Sequence, residues 1–299
     1  MTTEPEVVVA VGNPDHVEQL VRTAGDLARA RDGRIRLVSV AVKSHDSPFE
    51  LFSDETIRRE YSGNRQALLD RATATAPSDV PVEAELVVAK SVAAGVLDVA
   101  AAPAVEALFI GWHGPSRRSE VVLGTSVDRL LRRAPCDVYV ERIGRTADGV
   151  NRVLLPVAGG PHVRPAATAA AAIAASNDAT VTVVSVIPPG ADREEPRRWL
   201  TAAVEALSAT PGPEVTIETG VRESDNVEDT LVETATDYDV VVFGATRQSG
   251  LRKRLVGSVP RRVADRTDRT VLLARAADAV DGPLRSIISR LESRRRRGI

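Results

Sequence analysis

The chain repeats itself. VVVAVGNPDHV at residues 7–17 returns as VLLPVAGGPHV at residues 153–163, with His16 matched to His162. LVSVAV at 37–42 returns at the same offset as VVSVIP at 183–188. ALFIGWHG at 107–114 returns as VVVFGATR at 240–247, and LGTSV at 123–127 as VGSVP at 256–260, both now at a shorter offset. The order is preserved, so the second copy has lost residues between its second and third strands. A unit this long carries a whole domain, which makes the repeat a duplication and not a solenoid. The 299 residues suffice for two domains, each with its own core.

Within each copy, short Val/Ile/Leu runs alternate with helical stretches. The runs fall at residues 7–11, 35–40, 82–88, 107–110 and 138–140, and again at 153–157, 181–187, 215–221, 240–243 and 270–273. Between the first two, Val17, Leu20, Val21, Ala24, Leu27 and Ala28 recur at helical spacing. Continuous β-branched runs point to strands covered on both faces, and β/α alternation to parallel sheets with right-handed crossovers. The expected fold class is therefore α/β, two tandem Rossmann-like domains. Residues 1–146 are read as the first domain, 151–275 as the second and 276–299 as a basic amphipathic tail. Residues 44–81 form an insertion with an expected helix over 56–74, which either overhangs a ligand crevice or is a plain surface excursion. The Ala-rich stretch at 166–175 reads as a close-packing helix face.

Composition narrows the classes. Apolar residues make up 43% and charged residues 27%, so the body is not expected to be disordered. A net charge of −2 gives no reason to expect nucleic acid as a partner. The single cysteine, Cys136, excludes an internal disulfide or a multi-cysteine metal site and reads as a small buried hydrophobe in a cytoplasmic protein. The N-terminus is not that of a signal peptide, and no apolar run reaches the length of a membrane span. The tail carries Leu284, Ile287, Ile288 and Leu291 on one helical face before Arg294–Arg297, fit either for docking on a membrane or partner or for packing on its own body.

The motif that carries chemistry is Gly111-Trp-His-Gly114, nine residues, then Gly124-Thr125-Ser126. Gly111 follows an expected strand, and Gly124 precedes an expected helix at 127–133. Glycines let the backbone turn and approach a ligand, and free N–H groups at a helix start form an anion site. The hydroxyls of Thr125 and Ser126 add donors. His113 lies inside this loop, either touching a ligand or exposed. Copy two reads Gly244-Ala-Thr-Arg247, nine residues, Gly257-Ser258, so the middle glycine has become Arg247. That side chain either fills the phosphate site or adds a cationic contact. His16 and His162 read as packing or capping residues, and with His45 and His113 they form no metal constellation. No Ser-His-Asp arrangement, paired-carboxylate motif or Walker lysine appears, so no catalyst is expected beyond slow ATP hydrolysis.

These motifs, with the valine-rich first strand and the tandem β-α organisation, resemble the universal stress protein family over both halves. The resemblance implies a five-stranded parallel sheet per domain and pairing of the domains through their last strands, residues 138–140 beside 271–273. It implies ATP, with or without Mg²⁺, bound in the first domain. Phosphates would meet Gly111, Gly114, Gly124, Thr125 and Ser126, and backbone at Ala10, Val11 and Val40 would flank adenine. Gly244, Arg247, Gly257 and Ser258 form a weaker second-domain candidate. ATP-binding members carry Asp at the end of strand one, where this chain has Gly12, with Ala158 in copy two; losing that carboxylate weakens binding by roughly 1–3 kcal/mol. The phrases NPDH and AGGPH after strand one, with GATR, also resemble stress-protein domains behind haloarchaeal amino-acid permeases. Three functions follow as expectations: a nucleotide-binding stress-response module, a nucleotide-free module regulating a membrane transporter, and, with least support, a ligase or kinase of related fold.

Overall fold

A computed structural model describes residues 4–43, 51–60, 63–112, 124–144, 149–245 and 257–279. The first half runs β1 (Glu6–Ala10), α1 (Val17–Ala30), β2 (Arg34–Val42), α2 (Asp54–Glu60), α3 (Gly63–Thr75), β3 (Val82–Ala89), α4 (Val92–Ala100), β4 (Val105–Gly111), α5 (Thr125–Arg133) and β5 (Asp137–Arg142). The second runs β6 (Arg152–Pro156), α6 (Val163–Asn177), β7 (Thr180–Ile187), α7 (Glu194–Ser208), β8 (Ile217–Glu223), α8 (Val227–Ala235), β9 (Val240–Gly244), α9 (Ser258–Arg266) and β10 (Thr270–Arg275). Between the second and third strands the first half has two helices and the second half one, which is where the repeat is shorter.

The strands form one ten-stranded sheet in the order β3-β2-β1-β4-β5-β10-β9-β6-β7-β8. Every pairing is parallel except β5 with β10, which is antiparallel. The expected last-strand pairing is realised there, with Val140 opposite Leu273 and Val138 opposite Arg275. The long Val/Ile/Leu runs are explained by two cores. α1, α3, α6 and α7 cover one face of the sheet, and α4, α5, α8 and α9 cover the other. A strand sandwiched in this way has no solvent face on which alternation would show.

The Ala-rich helix α6 buries seven of its alanines along with Pro165 and Ile173. Small side chains let it approach both α7 and, across the domain boundary, α1. At that boundary Arg29 Nη1 donates to Ser176 Oγ at 2.9 Å, and Tyr139 Oη donates to the Pro165 carbonyl at 3.2 Å. Arg275 is fully buried, and its guanidinium donates to the Ala134 carbonyl at 2.8 Å, fastening β10 to the first half. Both leading helices are followed by an Asp in the left-handed region, Asp32 (φ 49°) and Asp178 (φ 53°), which turns the chain back into the next strand.

Three expectations need correcting. The single helix expected over 56–74 starts at Asp54 and is broken, because Gly63 takes a left-handed φ of 38° as α3 begins. None of the described residues 51–81 lines the first crevice; α2 and α3 pack on the sheet instead, with Ile57 buried and Arg58 Nε donating to the Leu86 carbonyl at 3.0 Å. The strand expected over 215–221 begins at Ile217 and ends at Glu223, following the Pro211-Gly-Pro213 turn. No helix among the described residues is long and apolar enough to cross a membrane. Tail residues 280–299 lie outside the described residues.

Candidate functional site

In each half the strand order places the first and fourth strands side by side, and the chain leaves them toward opposite neighbours. Such a switch point opens a crevice at the C-terminal strand ends, where α/β proteins bind ligands. In the first half that crevice measures about 480 Å³. Ala10, Val11, Gly12, Asn13 and His16 line it from β1 and the start of α1, and Val38 and Val40 from β2. Val92 and Val96 of α4 and Leu130 of α5 close the apolar side; Ile110, Gly111, Ser126 and Val127 complete the wall.

Helix α5 aims its start at this crevice. Gly124 is the N-cap with no side-chain cap bond, and Asp128 N–H donates to the Gly124 carbonyl at 3.0 Å. The amides of Thr125, Ser126 and Val127 therefore precede the first intrahelical bond, at the positive end of the helix dipole. The glycines around them are not demanded by packing. A Cβ on Gly12 or Gly124 would meet nothing within 4 Å, and one on Gly111 would come no closer than 3.9 Å to His16 Nδ1 and Leu20 Cδ2. None of the three takes a left-handed φ. Among the described residues, nothing fills the space in front of Gly12 and Gly124.

The matching crevice of the second half is narrower and different in kind. It measures about 270 Å³ and includes Gly244, Gly257 and Ser258 in its wall. A Cβ on Gly244 would stand 2.9 Å from the His162 carbonyl oxygen, so here the glycine is needed by the fold itself. Gly244→Ala is accordingly expected to destabilise the protein by about 1–3 kcal/mol, while Gly111→Ala changes stability by less than about 0.5 kcal/mol. Urea unfolding of the two variants checks this; equal effects would mean the two glycines have equal surroundings.

Of the expected first-domain residues, Ala10, Val11, Gly12, Val40, Gly111 and Ser126 line one cavity, and Gly124 and Thr125 stand at the helix start beside it. His113, Gly114 and Arg247 lie outside the described residues. The helix expected at 127–133 begins two residues earlier, at Thr125. Sequence reading missed the apolar wall of Leu20, Val92, Val96 and Leu130, because the packing of α1, α4 and α5 decides which of their residues reach the cavity. It also read the two repeat histidines alike. Each occupies an N-cap position without a side-chain cap bond. His162 is buried and its Nδ1 accepts from Ala276 N–H at 3.1 Å, whereas His16 lines the first crevice. Trp112, inside the glycine motif, turns its side chain into the core: it is 1% exposed and packs with Leu130 and Leu131, while its backbone N–H donates to the Glu141 backbone carbonyl at 2.7 Å.

Two buried carboxyls stand behind the site, between α1 and the second domain. Burial pushes Glu141 up to about 8, against hydrogen bonds from Thr23 and Gln19; Thr23 Oγ1 donates to its Oε1 at 2.9 Å. Burial likewise raises Asp26 to about 6, against Ser176 and Arg29. Cys136 is buried and its thiol is pushed up to about 11 by desolvation, so it remains a thiol at neutral pH.

The universal stress protein family model matches residues 5–142 and again residues 149–275, nearly the whole of both halves. The chain belongs to the universal stress protein family. Solved relatives share its tandem architecture: a universal stress protein from Archaeoglobus fulgidus DSM 4304 superposes at a TM-score of 0.63 and 13% identity, over 91% of this chain and 98% of its own. A functionally unknown protein from Pseudomonas aeruginosa PAO1 gives a TM-score of 0.56 at 16% identity, over 92% and 94%. The cytoplasmic domain of a prokaryotic cation chloride cotransporter gives 0.59 at 10% identity, over 92% and 97%. At such identities the likeness is one of fold. No curated protein sequence matches the chain. As a universal stress protein with both copies in one chain, it builds within a single polypeptide the last-strand pairing of its two domains.

Proposed function

We propose that the first domain binds an adenine nucleotide, ATP, and that the protein works as a regulatory stress-response module whose nucleotide state is read by a partner. The observation that carries this reading is the cradle itself: the amides of Thr125, Ser126 and Val127, which have no partner within the helix, stand beside a crevice whose glycines leave space that no described residue fills. Phosphates fit the helix start, and the valine-lined floor formed by Val38, Val40 and Val96 suits a flat apolar base. Activity as an enzyme is not part of the proposal. The described wall offers Asn13, His16 and Ser126 as its polar side chains, with no carboxylate or lysine among the described residues that line it.

Thermal unfolding with and without ATP, each with and without Mg²⁺, tests the reading. A site filled at a hundred times its Kd adds about 2.7 kcal/mol to stability, and an unchanged melting curve at millimolar ATP would remove the proposal. Phosphate release is expected at the level of a buffer blank.

Gly12 gives a sharper check. Its Cβ position is open, so Gly12→Asp is sterically free. The added carboxylate supplies the hydrogen-bond acceptor that the family resemblance places at this position, and ATP is expected to bind about tenfold tighter, a gain of roughly 1–3 kcal/mol. Titration calorimetry reads it directly. Weaker binding would mean that the carboxylate meets phosphate and not ribose.

A second reading is a nucleotide-free module regulating a membrane transporter. The fold-level likeness to the cotransporter cytoplasmic domain favours it. Co-purification with a transporter, combined with a flat ATP titration, would select it over the first.

A further inference from the structure

We propose that the crevice of the second domain is a separate binding site for a small, uncharged, predominantly apolar molecule of about the size of a substituted bicyclic aromatic. The inference goes beyond the nucleotide reading and does not depend on it.

The two crevices share a place in the repeat and differ in chemistry. The described wall of the second is built from Leu155, Val157, Val184, Leu231 and Phe243, all buried, with Val186 half-buried at its side. It contains no charged side chain among the described residues, and Ser258 is its one side chain with a polar group. The anion-binding feature of the first crevice is weakened at its source. Helix α9 carries Pro260 in its first turn, where α5 carries Val127, so one of the free amides is lost. At the strand exit, Gly244 is pressed against the His162 carbonyl, where Gly111 has open space. A phosphate would exchange full hydration for a poorer set of donors, whereas an apolar molecule gives up no strong hydration of its own on entering. The volume of about 270 Å³ excludes a molecule as large as a nucleoside triphosphate from full burial and lies at the small end of ligand pockets.

The chain contains two tryptophans, one near each crevice. Trp199 of α7 packs on Gly159 in the second, its indole 2.6 Å from where a Cβ would stand. Trp112 lies in the core beside the first. Their emission overlaps the absorption of N-phenyl-1-naphthylamine, a neutral probe of suitable size.

Titrating the full chain with this probe is expected to show saturable 1:1 binding, with enhanced probe emission and quenched tryptophan emission. Val186→Phe fills the cavity from its side, and Ala158→Phe closes the mouth from an exposed position that the core does not depend on. Each is expected to weaken the probe at least about tenfold. ATP and Gly124→Val, which act on the first crevice, are expected to leave probe binding unchanged. Absence of saturable binding overturns the proposal. So does displacement by ATP, loss in Gly124→Val, survival in both filled variants, or an ATP stoichiometry of two per chain.

Discussion

Replacing Glu141 with Gln is expected to flatten the pH dependence of stability and to make the protein more stable than wild type at pH 8 by about 2–4 kcal/mol. The carboxyl sits at the end of β5, opposite Leu272 of β10 and beside Thr23, Gln19 and Asp26 of α1. In the unfolded chain it titrates near 4.5, and in the fold near 8. Below pH 4.5 both states hold the proton and the group adds no pH dependence. As pH rises toward 8 the unfolded chain releases the proton while the fold retains it, so stability falls. Above 8 the loss is complete. Each pH unit of that window costs about 1.4 kcal/mol, which sets a ceiling near 5 kcal/mol. Water entry and local relaxation lower the expected figure.

Gln keeps an acceptor for Thr23 Oγ1 and stays neutral, so it reproduces the protonated fold at every pH. Asp26, raised to about 6, acts with the same sign between pH 4 and 6, and it persists in the variant. Urea unfolding of both proteins at pH 5 and pH 8 measures the effect. The gap between them should widen with pH. Parallel behaviour would show that Glu141 is ionised in the fold. The position also bears on the site, because the Glu141 backbone carbonyl holds the backbone N–H of Trp112, the first residue beyond β4.

Gly124→Val is expected to weaken ATP by about 100-fold while the protein stays folded. Among the described residues its Cβ would meet no atom within 4 Å, so the added bulk enters the space proposed for the ligand. The backbone there has φ −52° and ψ 154°, which valine adopts without strain. The cost to the fold is that of a poorer N-cap, about 1 kcal/mol. The cost to binding is greater, because two or three charge-assisted bonds from amides to phosphate are each worth about 1.5–3 kcal/mol. Calorimetric titration against wild type reads the loss. Undiminished affinity would place the nucleotide elsewhere.

The periodicities that made the fold legible are local properties of the chain. Runs such as residues 153–157 and 181–187 are apolar on both faces, and a strand of that kind must lie between two layers. The helix between the first two runs of the chain, with Val17, Leu20, Val21, Ala24, Leu27 and Ala28 on one face, needed only its 3.6-residue spacing to be seen. Boundaries were less legible, since Gly63 breaks one expected helix through a backbone angle that residue identity permits but does not require. The glycine motif also pointed to the right helix, although α5 begins at Thr125, two residues before the expected 127. Its neighbours in the crevice were hidden. Val92, Val96 and Leu130 reach the cavity only through the packing of α4 and α5, and no spacing within the sequence links them to Val40.

What residue order alone settled is the duplication and the layered α/β architecture, since each shows in the spacing and repetition of local segments. What the tertiary structure decided is how two like motifs came to differ. His16 lines a cavity while His162 is buried against Ala276, and Gly111 has room where Gly244 has none. The burial that raises Glu141 arises from α1 and from the antiparallel pairing of β5 with β10. Such differences depend on which atoms fill the space around a residue, and that space is created by segments far apart in the chain.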